Sequence, residues 1–310
     1  MPFPPSLNKF GFIALDKMHT SLFTLLAGAA ISIQAVSGLA TRATKPVWET
    51  LPDTPALPSP ISTETKSVNG VNLWFQKYNE ATGGLPLVFD HGGLGYSAYF
   101  GAVIDRLIKK NYYVIAVDRR GHGRSTFNKD DTFSFDGFAN DIYQLLLDIG
   151  VPKYNVVGWS DGAATTLAAL QNSTIAPTIE KAFLFAGFMT AADTNATFTN
   201  TDIYKTFVSR CATEYATLQP NANFTLFANK VGVLESTQPN FTAEGLGKLD
   251  GSKITIAAAD HDEAVNLNVP AKLNSAIEGS KLITLKNVSH FAPVQDPEQF
   301  SQAVENFLAA

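Results

Sequence analysis

The sequence predicts an α/β fold, a mainly parallel sheet with helices on both faces. Three observations carry that reading. Short apolar strand segments alternate with stretches of helical spacing along most of the chain, and such alternation implies parallel strands joined by helical crossovers. Charged residues are only 16% of the 310, against about 25% in an average soluble domain, and a large buried sheet accounts for part of that deficit. Finally, the glycine-flanked serine of Gly158-Trp159-Ser160-Asp161-Gly162 stands between a strand pattern and a helix pattern.

The elements follow in order. Lys66–Val68 and Val71–Tyr78 form a hairpin, because Asn69-Gly70 supplies the two positive φ angles that a tight turn needs. Leu85–Asp90 is a short strand, followed by His91-Gly92-Gly93. Ala98–Lys110 is helical through Val103, Ile104, Leu107 and Ile108. Tyr112–Val117 is a strand, Phe135–Leu147 a helix, Tyr154–Val157 a strand, Ala163–Leu170 a helix and Ala182–Phe185 a strand. From Phe188 to Asp250 the alternation stops. This stretch is rich in Thr and Asn, with helices near Tyr204–Tyr215 and Phe224–Val233, and reads as an insertion at the carboxyl edge of the sheet, where such folds bind ligands. The alternation then resumes with strand Ile254–Ala258, helix Val269–Ile277, strand Leu282–Leu285 and helix Pro297–Leu308.

The N-terminal region reads differently. Ser21–Ala40 has no charge, Lys9 and Lys17 precede it, and small residues end it, the pattern of a signal peptide over 1–40. The alternative is a signal anchor, since about twenty residues can span a bilayer. Residues 41–62 hold five prolines and are expected to form an extended linker, so that the folded domain spans 63–310. Five N-x-S/T sequons, at Asn172, Asn195, Asn223, Asn240 and Asn287, fit a secreted glycoprotein, with Asn287 expected to stay unmodified.

Composition excludes several functions. The net charge is −5 and no basic block exists, so nucleic acid is not an expected partner. One cysteine, Cys211, allows neither an intrachain disulfide framework nor a thiolate metal cluster, and it is expected to be a buried apolar residue. No metal and no cofactor are expected.

Ser160 is the expected nucleophile, because a serine between strand and helix at this turn has its hydroxyl lifted above the sheet. A serine hydroxyl needs a base. Of His19, His91, His122, His261 and His290, only His290 follows the last strand, in a loop that leaves the same edge of the sheet. The base needs an orienting carboxylate, and strand Ile254–Ala258 runs into Asp260, Asp262 and Glu263. Asp262 is the first choice and Asp260 the second. A serine nucleophile with this partner order predicts an acyl-enzyme rather than the ester intermediates formed by an aspartate.

Over residues 63–310 the sequence resembles the α/β-hydrolase family. The motifs are Asp90-His91-Gly92-Gly93, Asp118-Arg119-Arg120-Gly121-His122-Gly123-Arg124-Ser125, Gly158–Gly162, Ala259-x-x-Asp262 and His290; Ala259 stands where the family's acid motif has glycine. The G-W-S-D-G elbow resembles the small-ester, valacyclovir-hydrolase-like branch. The resemblance implies an eight-stranded, mainly parallel sheet with an inserted helical cap at about 188–250. It also implies an oxyanion hole made by the N–H groups of Gly93 and Asp161. Arg119–Ser125 is expected to brace the loops around the site.

The expected activity is hydrolysis of a neutral, fairly apolar carboxylic ester or lactone, since the cap shows no Arg cluster to grip an anion. Other acyl chemistry (amide, thioester or C–C bond cleavage) and a non-catalytic ligand-binding role are the alternatives. A membrane partner is expected only if the N-terminal segment stays uncleaved.

Overall fold

The structure is a computed structural model that describes residues 45–310 except 63, 220 and 221. The expected signal segment lies outside the described residues. No helix among the described residues is long and apolar enough to cross a membrane.

An eight-stranded sheet forms the centre. Its strands are β1 (Thr65–Val68), β2 (Val71–Tyr78), β3 (Leu87–Asp90), β4 (Val114–Val117), β5 (Tyr154–Trp159), β6 (Ile179–Phe185), β7 (Ile254–Ala259) and β8 (Lys281–Leu285). The spatial order is β1-β2-β4-β3-β5-β6-β7-β8. The β1/β2 and β2/β4 pairs are antiparallel and all other pairs are parallel. The fold class read from the sequence is therefore observed. Asn69 and Gly70 take φ of 47° and 81° at the β1–β2 turn, as the hairpin reading requires.

The order reverses around β3 and β5, so their carboxyl ends flank a crevice where a ligand can approach backbone N–H groups. Every residue of β3 and of β7 is buried, which explains their unbroken apolar runs. The crossover helices are α1 (Gly101–Ile108), α2 (Phe135–Asp148), α3 (Asp161–Gln171), α7 (Val269–Ala276) and the closing α9 (Pro297–Ala309). Between β6 and β7 the chain forms α4 (Asp202–Leu218), α5 (Phe224–Thr237) and the single turn α6 (Ala243–Leu246). A further short turn, α8 (Ala292–Gln295), precedes α9.

Four of the aromatics in the insertion, Phe188, Phe207, Tyr215 and Phe227, are buried, while Phe198, Tyr204, Phe224 and Phe241 stay partly open. Tyr215 and Phe227 stack at 4.9 Å, and Phe207 meets Phe291 of the body at 5.0 Å. Cys211 is buried beside the Tyr99 hydroxyl, and burial pushes its thiol up to about 12.

The expected tether over 41–62 is corrected by the described part, 45–62, which packs against the body. Leu57 is buried in the core, and Trp48 stacks on His261 at 4.1 Å. Proline has no N–H to give a ladder, and the described residues 45–62 contain no strand. Its carbonyls instead accept from side chains of the body. Gln295 Nε2 donates to Thr50 O at 2.8 Å, and Arg210 to Leu51 O at 3.0 Å and to Pro52 O. Tyr78 Oη donates to Pro58 O at 3.1 Å, and Trp74 Nε1 to Ser62 O at 2.7 Å. The Arg210 and Gln295 donors lie far away in sequence, which is why proline content alone reads as a linker.

Candidate active site

Strand β5 ends at Trp159 and helix α3 begins at Asp161, leaving Ser160 alone at the turn with φ 55° and ψ −115°. A non-glycine residue at positive φ is strained, and the surroundings must hold it there. The Ser160 N–H donates to Phe185 O of β6 at 2.9 Å, and Ser160 O accepts from Ala164 N at 3.0 Å. The flanking glycines are steric requirements. A Cβ on Gly158 would lie 2.6 Å from Gly162 O, and one on Gly162 would run into Asp90 O of β3.

His290 follows β8 and is buried. Its Nδ1 lies 3.1 Å from both carboxylate oxygens of Asp262. A carboxylate only accepts, so Nδ1 carries the proton, and in the neutral ring Nε2 has a free lone pair. Asp262 is itself fixed, since its Oδ1 accepts from Ala264 N at 2.9 Å and Val265 N at 2.8 Å. Asp260 points elsewhere, with carboxylate oxygens 4.0 Å from His261 Nε2 and 4.0 Å from Lys286 Nζ. Of the two aspartates left open by the sequence, Asp262 is the one that meets His290.

Burial disfavours the charged form of His290. The charge and hydrogen bond of Asp262, with the charges of Glu263 and Asp161, more than offset it, so the imidazole pKa is raised. Trp159 and Phe198 flank the ring, with centroids 5.9 Å and 6.1 Å away, so body and cap both limit water around it.

The loop after β3 brings Gly92 and Gly93 to Ser160; a Cβ on Gly92 would sit 3.6 Å from Ser160 Cβ. Asp161 is the first residue of α3, where helix N–H groups have no intrahelical acceptor. Among the described residues, neither the Gly93 nor the Asp161 N–H donates to a protein acceptor. Two backbone donors are thus free beside the serine, the requirement for holding charge on a carbonyl oxygen.

Arg119 braces this loop. Buried, it pairs with Asp90 and donates to His91 O and, at 3.0 Å, to Gly92 O. His91 and His122 are fully buried and structural. Burial and the Arg119 charge hold both well below the usual histidine value. His91 Nε2 accepts from Arg119 N at 3.1 Å, and His122 Nδ1 donates to Arg120 O at 2.9 Å.

One group at this site escaped the sequence reading. Glu235 of α5 reaches down from the cap, and its Oε1 and the Asp161 Oδ2 both lie within 3.0 Å of where a Gly93 Cβ would be. Burial raises both carboxyl pKa values, and repulsion from Asp161 adds to it at Glu235, which lies far above its ordinary value. Asp161 Oδ2 has no hydrogen-bond donor among the described residues. No local motif marks Glu235, since only cap packing brings it there. Glu263 competed for the acid role in sequence; the structure instead puts its carboxylate on the backbone of the His290 loop.

Among the described residues, no group of three or more His, Cys, Asp or Glu is arranged to hold a metal ion.

Comparison with known proteins agrees with this fold. A family model described as alpha/beta hydrolase fold matches residues 86–202. The match covers 117 of the 310 residues, and the chain as a whole has the α/β-hydrolase fold. It is 34% identical over 112 residues to the serine hydrolase BPHL of Homo sapiens, covering 35% of this chain and 38% of that one. It is also 34% identical over 103 residues to a proline iminopeptidase of Heyndrickxia coagulans, covering 33% and 35%. The matching segment therefore spans little more than a third of these relatives. A solved meta-cleavage product hydrolase from Pseudomonas fluorescens IP01 shares the fold with a TM-score of 0.66 at 17% identity, over 79% of this chain and 97% of that one.

Proposed function

We propose that the protein is a serine hydrolase that cleaves a carboxylic ester or lactone through an acyl-enzyme on Ser160. The observation that carries this reading is the Nδ1 contact of His290 with Asp262, which leaves Nε2 as a base at the end of the sheet that holds Ser160. Ser160 Oγ attacks the substrate carbonyl and passes its proton to His290 Nε2. The N–H groups of Gly93 and Asp161 take the charge on the carbonyl oxygen. Collapse breaks the acyl–oxygen bond, and His290 gives its proton to the leaving alkoxide. Water then attacks the ester, His290 takes that water's proton and returns one to Ser160 Oγ, and the acid departs.

The test is an assay of purified protein on p-nitrophenyl esters and on lactones beside Ser160→Ala. Turnover lost in the variant supports the reading, and equal rates in both refute it. Tight ligand binding without turnover favours the ligand-binding alternative. The partly open Phe198, 6.1 Å from the His290 ring and with Tyr204 packed on it, supports an apolar acyl or alcohol group.

One observation favours a more specific substrate. The unpaired Asp161 Oδ2 beside Glu235 suits an acyl group that carries a hydrogen-bond donor near the carbonyl. Esters of α-hydroxy or α-amino acids would then outrun unsubstituted ones, and Asp161→Asn would narrow the gap. No difference between the ester classes rejects this refinement and leaves the neutral, apolar substrate.

We further propose that the protein is secreted after cleavage near residue 40 and is glycosylated at some of its sequons. N-terminal sequencing of secreted material tests the first point, with an intact Ser21–Ala40 segment as the contrary result.

A further inference from the structure

Where the cap root, the N-terminal segment and the His290 loop meet, one half-buried carboxylate, that of Glu263, has no part in the proposed triad. Glu263 Oε2 accepts from the backbone N–H of His290 at 3.1 Å, and Oε1 accepts from the Ser289 hydroxyl at 3.1 Å. Ser289 is held again from the other side, since its N–H donates to Gln295 Oε1 at 2.7 Å and Gln295 Nε2 donates to Ser289 Oγ at 3.0 Å. That same Nε2 donates to Thr50 O. On its own backbone, Glu263 O accepts from Asn195 Nδ2 of the cap root at 3.0 Å, and Ala264 O from Asn195 N at 2.7 Å.

A carboxylate in this setting is not a default choice. Burial raises its pKa, against the attraction of the His290 charge, and the Asp262 carboxylate beside it adds repulsion. Packing alone would favour an apolar side chain, because an acid half-buried between another acid and a histidine still costs desolvation. The cost is offset by the His290 charge and by the two donors it accepts from, and both donors belong to the loop that carries the imidazole.

We propose that Glu263 is a positioning residue for His290. It clamps the Ser289–His290 peptide so that the ring, already tied to Asp262 at Nδ1, has one orientation toward the elbow. The inference rests on the reading of His290 as the base. A fixed ring matters because a misplacement of about 1 Å at a reacting group can cost about a hundredfold in rate. The carboxylate has a second effect: its charge joins those of Asp262 and Asp161 in favouring protonated His290. Asp262 contacts the ring itself, Glu263 holds the loop beneath it and Asp161, at the start of α3, acts through its charge, with no lysine or arginine contact to the ring among the described residues.

The experiment uses the full chain and p-nitrophenyl butyrate, with Glu263→Ala, Glu263→Gln, Ser289→Ala and Ser160→Ala compared over a pH series. Glu263→Ala is expected to lower kcat by about ten- to a hundredfold with little change in KM. Glu263→Gln keeps an acceptor for the His290 N–H and is expected to recover most of that loss. Both Glu263 variants lack the negative charge, so the acid limb of kcat/KM moves to lower pH. Ser289→Ala loses one clamp contact, keeps the charge, and is expected to lose a few-fold in kcat with the limb unmoved. An unshifted limb with unchanged kcat in both Glu263 variants overturns the inference. So does an equal loss in Gln and Ala variants that tracks their melting temperature, because a purely structural role predicts it. If Glu263→Ala does not fold, the Gln and Ser289 variants decide by the same criteria. Activity that survives Ser160→Ala defeats the hydrolase reading itself, which separates the two failures.

Discussion

His290 and Asp262 meet at 3.1 Å from Nδ1 to each carboxylate oxygen, with both side chains almost wholly buried. A charge pair in that position makes the imidazole more basic than burial alone would leave it. The proposed base must be neutral to accept a proton, so kcat/KM should fall as pH drops through a pKa above the ordinary histidine value. Asp262→Asn should shift that limb downward and reduce kcat on the order of 10⁴-fold by allowing the wrong tautomer. Asp260→Asn should change neither, since Asp260 faces His261 and Lys286. Rate profiles of the two variants side by side give the answer, and the opposite ranking removes Asp262 from the acid role.

The elbow should store strain. Ser160 sits at φ 55° and ψ −115°, where only glycine is at ease. Ser160→Gly should therefore raise unfolding stability by about 1 kcal/mol while abolishing turnover, with the gain limited by glycine's greater chain entropy. Denaturant titration of the two proteins measures it; a less stable variant contradicts the strain.

Arg119 and Asp90 form an ion pair closed off from solvent. Arg119→Met should cost about 3–5 kcal/mol, because it leaves a buried carboxylate without its partner. The sign of the pH dependence follows from Asp90. Burial already pushes its pKa up to about 6, against the Arg119 charge, and without that charge it titrates higher still. The deficit is then largest at high pH and shrinks as pH falls and Asp90 takes a proton. Melting curves from pH 5 to 8 check the trend, and a deficit independent of pH would count against it.

Residues 45–62 should contribute to stability rather than act as a spacer. A chain starting at residue 63 lacks Leu57, whose burial is worth about 2 kcal/mol, and strips Gln295 and Arg210 of backbone acceptors. Its melting temperature should lie several degrees below that of a chain starting at residue 45. Equal melting temperatures would restore the tether reading.

Much of this molecule was written locally. Period, turn chemistry and the elbow are short-range properties, so the sheet, the hairpin at Asn69-Gly70, the strained Ser160 and the late His290 could each be read from a few adjacent residues. The ends of elements were less legible. Strand β5 runs through Trp159, two residues beyond its apolar pattern, because Gly158 and Trp159 pair with Leu184 and Phe185 of β6.

Other features depend on contacts between distant segments, and these only the tertiary structure decided. Asp260 and Asp262 differ by two residues, and the chain path after β7 determines which one meets a ring 28 residues further on. Glu235 reaches Gly93 only because α5 folds back over the elbow. Five prolines suggest an extended tether, yet Arg210, Gln295, Tyr78 and Trp74 convert that segment into part of the body by donating to carbonyls that proline leaves without a ladder. Local geometry is encoded in neighbouring residues, because it depends on dihedral preferences and on which face is apolar. The partners of a buried charge or a free carbonyl come from anywhere in the chain, so they are defined only once it has folded.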